Sequence, residues 1–494
     1  MFLLDSWEKQ FNFKKWGEKS VNFSVLFTVL IGLTLVIGTR AATFTVDRTD
    51  DAAVSTCTAA ANDCTLRGAV TAANGAAGAD IINFDATVFA SAQTITLGSG
   101  ELSITGILTI NGTGANLLTV SGGNASRVFF VSAGASVTVT DLTVSNGNGV
   151  GSSFSGFGGG IFNNGGSLML TNVAVSNNQT TGGGTNGGGI YNNGAGATLT
   201  ISGSTINNNT GVSGAGGILN LNGTMNITNT TVAGNTATSG SGGGIANVGT
   251  ATLTSCTVAG NMAPDIDGGG VVNFGTFNSG NSIYADNTAM SNPDFSGTLT
   301  SNNYNLVEDT SGTTISFAQI RLKDVKFAQL AANDITGVDP MLGPLQNNGG
   351  TTQTMALLPG SPAIETGNSF GLTTDQRGFT RPVDDPNTMN PGPVPGDLAD
   401  IGAFEIQAPT AASVTVAGRV LTASGRGVQG AIIYLIGQSG DVRVVRTNPF
   451  GYYRFTDVEI GQTVTFNVFS KQHQFPSQVV TVNEDINDLN FTAQ

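Results

Sequence analysis

Gly242-Gly243-Gly244-Ile245-Ala246-Asn247 opens a stretch that closes on Cys256-Thr257-Val258-Ala259-Gly260-Asn261, and its pattern is repeated on both sides. Upstream stand Gly158-Gly159-Gly160-Ile161, Gly187-Gly188-Gly189-Ile190 and Ala215-Gly216-Gly217-Ile218; downstream stands Gly268-Gly269-Gly270-Val271. The apolar residues of successive copies lie 29, 28, 27 and 26 positions apart. Two residues after each comes an asparagine: Asn163, Asn192, Asn220, Asn247 and Asn273. A second asparagine closes each unit, at Asn178, Asn209, Asn235, Asn261 and Asn287, with Val175, Ile206, Val232, Val258 or Tyr284 three residues before it. Between the two asparagines run alternating apolar residues such as Leu168/Leu170, Leu199/Ile201 and Met225/Ile227, the mark of a strand with one buried face.

A unit of 26 to 29 residues with short strands, turns and no helical period matches one coil of a parallel β-helix. Stacked coils put like residue over like residue, about 4.8 Å apart. Interior asparagines can then satisfy one another in ladders, whereas a lone buried amide is costly. The glycine triplets are expected at sharp bends that need positive φ. Cys256 replaces the Ser204 and Thr230 of sister repeats, so it fills a small interior slot. No Lys, Arg or His lies between Val128 and Ile320 to activate its thiol.

The pattern fades upstream without stopping. Ile81-Ile82-Asn83-Phe84, Thr94-Ile95-Thr96-Leu97, Leu108-Thr109-Ile110 and Val128-Phe129-Phe130-Val131 read as short strands between Gly/Asn/Ser turns. A stack of coils needs an end cap to hide its last core layer. Leu66, Ala69, Val70 and Ala73 form a helical apolar stripe suited to that use, so residues 43–80 are expected to be an N-terminal cap and 81–405 the solenoid.

Composition agrees. Of 494 residues, 70 are Gly and only 11% are charged, which excludes a coiled coil and a collagen, while 39% hydrophobic content suffices for a core. The net charge of −14 supplies no basic footprint for nucleic acid. Lys14, Lys15 and Lys19 precede an uncharged apolar run from Val21 to Gly38, and Thr39-Arg40-Ala41 follows. Residues 1–41 read as a secretory signal. The alternative is an uncleaved anchor, because about 18 residues can just span a bilayer; Asn22, Ser24, Thr28 and Thr34 dilute the run and favour the signal. The expected location is secreted or cell-surface, with membrane contact only through this segment if it is retained. In an oxidising compartment Cys57 and Cys64, seven residues apart, are expected to form a small disulfide loop.

These residues carry resemblances. Cys64-Thr65-Leu66-Arg67-Gly68-Ala69-Val70 with Ala73-Asn74 and Ile81-Ile82-Asn83-Phe84 resembles the CSLREA motif of secreted bacterial β-helix proteins, with Gly68 in place of the family's glutamate. Asp339-Pro340-Met341-Leu342, Leu345-Gln346-Asn347-Asn348-Gly349-Gly350, Leu358-Pro359-Gly360-Ser361-Pro362-Ala363, Thr374-Asp375-Gln376-Arg377-Gly378 and Asp400-Ile401-Gly402-Ala403-Phe404-Glu405 stand in the order of the choice-of-anchor Q domain. The repeats are similar to the GGAI repeats of polymorphic outer-membrane adhesins, with Val replacing the usual Phe before the Asn. Together these imply an all-β fold with a right-handed, pectate-lyase-like parallel β-helix on an exported or surface protein. They imply no settled activity.

After Glu405 the composition shifts. Residues 406–413 read as a linker, and 414–494 as a small β-sandwich with strands at 414–416, 419–421, 431–435, 443–445 and 464–468. Gly418-Arg419-Val420, Gly430-Ala431 and Gly451-Tyr452-Tyr453-Arg454-Phe455 resemble carboxypeptidase-regulatory-like domains, which implies a structural or adhesive module. His473, the only histidine, has no partner His or Cys nearby and is expected at the surface.

Residues 142–264 contain no charged side chain and no histidine. The best-defined coils therefore offer no acid, base or strong cation ligand, and glycoside hydrolysis needs two carboxylates. No catalytic residue, cofactor or metal is expected there. Asp265, Asp267 and Asp286 are the candidates for a polar site, against the plainer reading that Asp in Gly-rich turns satisfies the backbone. The leading expectation is a structural or adhesive surface β-helix that contacts glycans or cell-surface components. The alternative is a polysaccharide-binding or polysaccharide-degrading enzyme of the same fold.

Overall fold

The computed structural model describes residues 41–152, 154–181, 186–317, 333–384, 396–407, 413–437, 442–459, 463–482 and 484–494. The expected export segment lies outside these residues except for Ala41, as does most of the linker. Among the described residues no helix is long and apolar enough to cross a membrane. The chain divides into two compact units, Met1–Ile406 and Gln407–Gln494.

The first unit is a right-handed parallel β-helix. Its register is the one the repeats dictate. Ile161, Ile190, Ile218, Ile245 and Val271 stack in one row. Leu168, Leu199, Met225, Ala251 and Phe277 form a second, and Val175, Ile206, Val232, Val258 and Tyr284 a third. All are buried and share one core. Two of the resulting faces merge at strand Phe295–Ser301 into an 18-stranded sheet, the third is 10-stranded, and a 4-stranded sheet edges the later coils.

The corners between strands are set by residues that tolerate the left-handed region. One corner holds Asn172, Gly203, Asn229, Ser255 and Asn281 at φ of 46° to 59°. The next holds Asn146, Asn177, Asn208, Gly234, Gly260 and Asp286 at φ of 50° to 66°. The first glycines of three triplets, Gly158, Gly242 and Gly268, sit at φ of 55°, 75° and 62°, as expected, and the triplets have a second cause as well. Their middle members are not at positive φ; a Cβ on Gly243 would sit 2.4 Å from the carbonyl oxygen of Gly269 in the next coil. Close approach of stacked backbones, rather than turn conformation, demands glycine there.

The helix Leu66–Gly75 lies against the first coils and buries Leu66, Ala69, Val70 and Ala73. Thr65 caps it, accepting from the Gly68 N–H. A Cβ at Gly68 would fall 1.8 Å from the Val54 carbonyl oxygen, so this backbone leaves no room for a glutamate. Cys57 and Cys64 form a disulfide, with Cα atoms 4.4 Å apart, just before the helix.

Ile335–Thr336 is the last parallel rung. Residues 339–405 were expected inside the solenoid, yet among the described residues they add no strand to its sheets. They form a strap folded through bridges Leu342↔Leu357, Gln346↔Thr354 and Thr374↔Thr380, which runs over the outer face of the ten-stranded sheet. The outward threonines Thr205, Thr231 and Thr257, all buried, are each met by it. Thr205 Oγ1 donates to the Gln353 carbonyl, Thr231 Oγ1 donates to Gln376 Oε1, and Thr257 Oγ1 accepts from the Ala403 N–H. Leu357, Ala363, Ile364 and Ile401 close a small second core over Ile283 and Leu306.

The second unit has a three-stranded sheet, Tyr452–Glu459, Ser413–Leu421 and Phe491–Thr492, and a four-stranded sheet, Val442–Arg446, Ile432–Ile436, Thr463–Phe469 and Gln478–Thr481. Residues of both sheets share one core that includes Val416, Val420, Ile433, Tyr453, Phe455 and Phe466, the arrangement of a small β-sandwich. His473 is half-buried, its ring edge-on to Phe475.

Candidate functional site

Both asparagine ladders are continuous hydrogen-bonded chains. Asn163 Nδ2 donates to Asn192 Oδ1 at 2.7 Å, and the relay continues through Asn220 and Asn247 to Asn273. The second runs from Asn178 through Asn209, Asn235 and Asn261 to Asn287 at 2.9 to 3.0 Å. All ten side chains are buried and engaged, which makes them internal structure and leaves nothing for a ligand. Cys256 is equally internal: its Sγ lies 3.3 Å from the Thr254 carbonyl, as Thr230 and Ser282 bond the carbonyls two residues before them. Burial pushes the thiol up to about 12, so it is inert.

The three candidate carboxylates are not brought together. Asp265 is exposed on strand Met262–Asp267. Asp267 accepts from Asn292 Nδ2 at 2.8 Å and Ser296 Oγ at 2.6 Å, tying one turn to the next. Asp286 is a corner residue, equivalent to Asn177 and Asn208, and its N–H donates to Glu308 Oε2. Partial burial, with Glu308 and Asp339 nearby, raises its carboxyl. Among the described residues no group of three or more His, Cys, Asp or Glu side chains is placed to hold a metal ion.

The charges that organise the unit are ones the repeat pattern does not reveal. Arg127 is fully buried and ion-paired with Glu101. Its guanidinium donates to the carbonyls of Gly149, Phe154, Phe157 and Gly158, and lies 5.1 Å from the centre of the Phe162 ring. It pins a loop over the outward aromatic row Phe130, Phe162 and Tyr191. In the strap, Asp375 chelates Arg377 and accepts from the N–H groups of Phe379 and Glu405. Arg381 and Glu405 pair at 2.7 Å with both side chains fully buried. Asp400 accepts from the Glu365 and Ile406 N–H groups, and burial next to Glu405 raises its carboxyl. The Asp375, Arg377, Asp400 and Glu405 positions of the choice-of-anchor-like motifs are thus a latch beneath the surface. A lone arginine in a charge-poor tract, such as Arg127 beside Val128-Phe129, was the available signal.

The strap leaves an opening on this face. Beyond the strap's hairpin tip at 347–353 lies a cleft of about 390 Å³. Its floor is Thr143, Ala174, Ser176 and Asn207, its rim Asn177 and Asn208, and its wall Asn347, Thr351 and the backbone of Gly350. No lining side chain is charged or aromatic. Such a lining can exchange hydrogen bonds with hydroxyl and amide groups but holds no group that moves a proton near neutral pH.

No family model matches the chain, and no curated protein matches it. Among solved structures, the crystal structure of pectate lyase Pel9A is similar over 74% of this chain and 97% of that one, at 15% identity and a TM-score of 0.39. The strand register above carries the fold independently of that likeness.

Proposed function

We propose that this chain is an exported or cell-surface β-helix that acts without catalysis, as a structural or adhesive scaffold in contact with glycans or other surface components. One observation carries the reading. Coils 142–264 have no charged side chain and no histidine. Of the nearby carboxylates, Asp141, Asp267 and Glu308 accept internal hydrogen bonds and Glu101 and Glu405 are in buried ion pairs, while Asp265 stands exposed on its strand. Hydrolysis of a glycoside requires a carboxylate pair about 5 to 9.5 Å apart that a substrate can reach. The CSLREA-like and choice-of-anchor-like motifs support the exported setting, and the carboxypeptidase-regulatory-like segment supports an adhesive one.

The test is a digest panel of pectate, alginate and neutral polysaccharides with the full chain, read by reducing ends and by the ultraviolet absorbance of unsaturated products. No product is expected from any of them. Turnover that disappears in an Asp265→Asn/Asp267→Asn double variant would establish the enzymatic alternative instead.

A further inference from the structure

We infer that the cleft at the strap's hairpin tip binds a neutral saccharide through the amides of Asn207, Asn177 and Asn208. The inference rests on the glycan-contacting reading above and names its site and ligand class.

The first observation is a break in a side-chain row. Two residues beyond the threonine row, the outward positions of successive coils are Ser145, Ser176, Asn207, Ala233, Ala259 and Ala285. Alanine occupies the row where the coils meet the strap, at Thr231 and Thr257, and in the coil after them. Of its polar members, Ser176 and Asn207 line the cleft, the coil of Asn207 meeting the strap at Thr205 as well.

The second is Asn207 itself. Its residue is only 6% exposed, yet its side-chain amide makes no hydrogen bond within the protein, while its neighbour Thr205 is tied to Gln353. Buried amides are nearly always paired. The ten ladder asparagines of this chain are paired in that way, whereas the polar atoms of Asn207 are not sealed off and keep an opening to solvent. The remaining outlet for its donors and acceptor is the cleft that it lines.

The third lies at the corner. The left-handed backbone there accepts glycine, and Gly234 and Gly260 fill it in later coils. Along the cleft the same corner holds Asn177 and Asn208, which adds two amides the backbone does not require.

Chemistry selects the ligand. The lining has donors and acceptors together, as vicinal hydroxyls require. A uronate or sulfated glycan would find no cation, since no Lys or Arg lines the cleft and Arg377 is committed to Asp375. A peptide would need apolar subpockets, and the only apolar side chains present are Ala115 and Ala174.

The experiment titrates the full chain with cellohexaose, xylohexaose, mannohexaose, chitohexaose and maltohexaose, with hexagalacturonate as the acidic counterpart, by calorimetry and ligand-observed NMR. At least one neutral oligosaccharide should bind, and hexagalacturonate should not. Asn207→Ala should weaken that binding about tenfold. Asn177→Gly/Asn208→Gly, which keeps the left-handed corner, should do the same with an unchanged melting midpoint. Asn193→Ala, on another face, should leave binding intact. Absence of neutral binding, or tighter binding of the galacturonate, overturns the inference. Neutral binding that survives both cleft variants overturns the site while sparing the scaffold reading; glycan cleavage in the digest panel sinks that reading whatever the cleft binds.

Discussion

Asn287 sends both its backbone N–H and its side-chain Nδ2 to one oxygen of Asp294, at 3.2 and 2.9 Å. The other Asp294 oxygen accepts the Asp309 N–H at 2.7 Å. Every amide of the ladder from Asn178 donates in the same direction, so the chain of dipoles ends on a carboxyl that has replaced the next asparagine. Aligned hydrogen bonds polarise one another, and an acceptor with anionic character is the favourable terminus for a row of donors.

Burial raises Asp294 to about 6, above its unfolded value near 3.9. A group raised on folding favours its protonated form in the native state. Its contribution is complete below about pH 4 and is lost as pH rises through about 6. Asp400, raised by burial and by Glu405, pushes the same way. The melting midpoint should therefore be higher at pH 5 than at pH 8, with Asp294 accounting for about 1–1.5 kcal/mol of the difference. Asp294→Asn should flatten the slope; a midpoint that climbs between those pH values contradicts the assignment.

Arg381 donates to Glu405, to Asn229 Oδ1 and to the Phe404 carbonyl, all out of water. Arg381→Met should leave Glu405 buried without its counter-charge and cost about 3–5 kcal/mol. Thermal or urea unfolding measures it. A loss below about 1 kcal/mol, the range of an exposed pair, would mean that the strap is not locked there.

Asn220 accepts from Asn192 and donates to Asn247 in the middle of the first ladder. Asn220→Leu should destabilise by about 1–3 kcal/mol, because both neighbours lose a partner in a dry interior. An unchanged melting midpoint would show that these amides are satisfied some other way.

A side chain at position 68 tests the cap. Gly68→Glu, and even Gly68→Ala, drives a Cβ into the Val54 carbonyl, which forces the helix off the first coil. The cost should be about 1–3 kcal/mol, with faster proteolysis near the Cys57–Cys64 loop. Equal stability of Gly68→Ala and the parent would place the cap elsewhere.

The coils were legible because their contacts repeat. Ile218, Asn220 and Asn235 each meet an equivalent residue one coil away, so a period in sequence is a contact in space. The strap has no such period. Gln376 reaches Thr205 across 171 residues and Thr231 across 145, and nothing local in Asp375-Gln376-Arg377 announces either partner. The cleft was hidden for the same reason, since its wall at Asn347 and its floor at Asn207 meet only after the strap has folded over. Asp265, Asp267 and Asp286 stood out as the first carboxylates after a charge-free tract, yet a corner needing positive φ suffices to explain Asp286.

The strap also sets an order of events for a chain that leaves a ribosome or a translocon from its N-terminus. Thr205 waits 148 residues for Gln353, Asn229 waits 145 for Thr374, and Thr257 waits 146 for Ala403. A bare solenoid can consolidate coil by coil as it appears. Here the middle coils can stack early, but one flank stays wet and unstapled until residues near 405 arrive. Closing contacts of such long separation is slow. The nascent form therefore carries a row of naked threonines on a long β-surface, open to capture by chaperones or by another nascent copy. Arrival of the strap ends that window, and the solenoid ceases to be a stack that can fray one coil at a time.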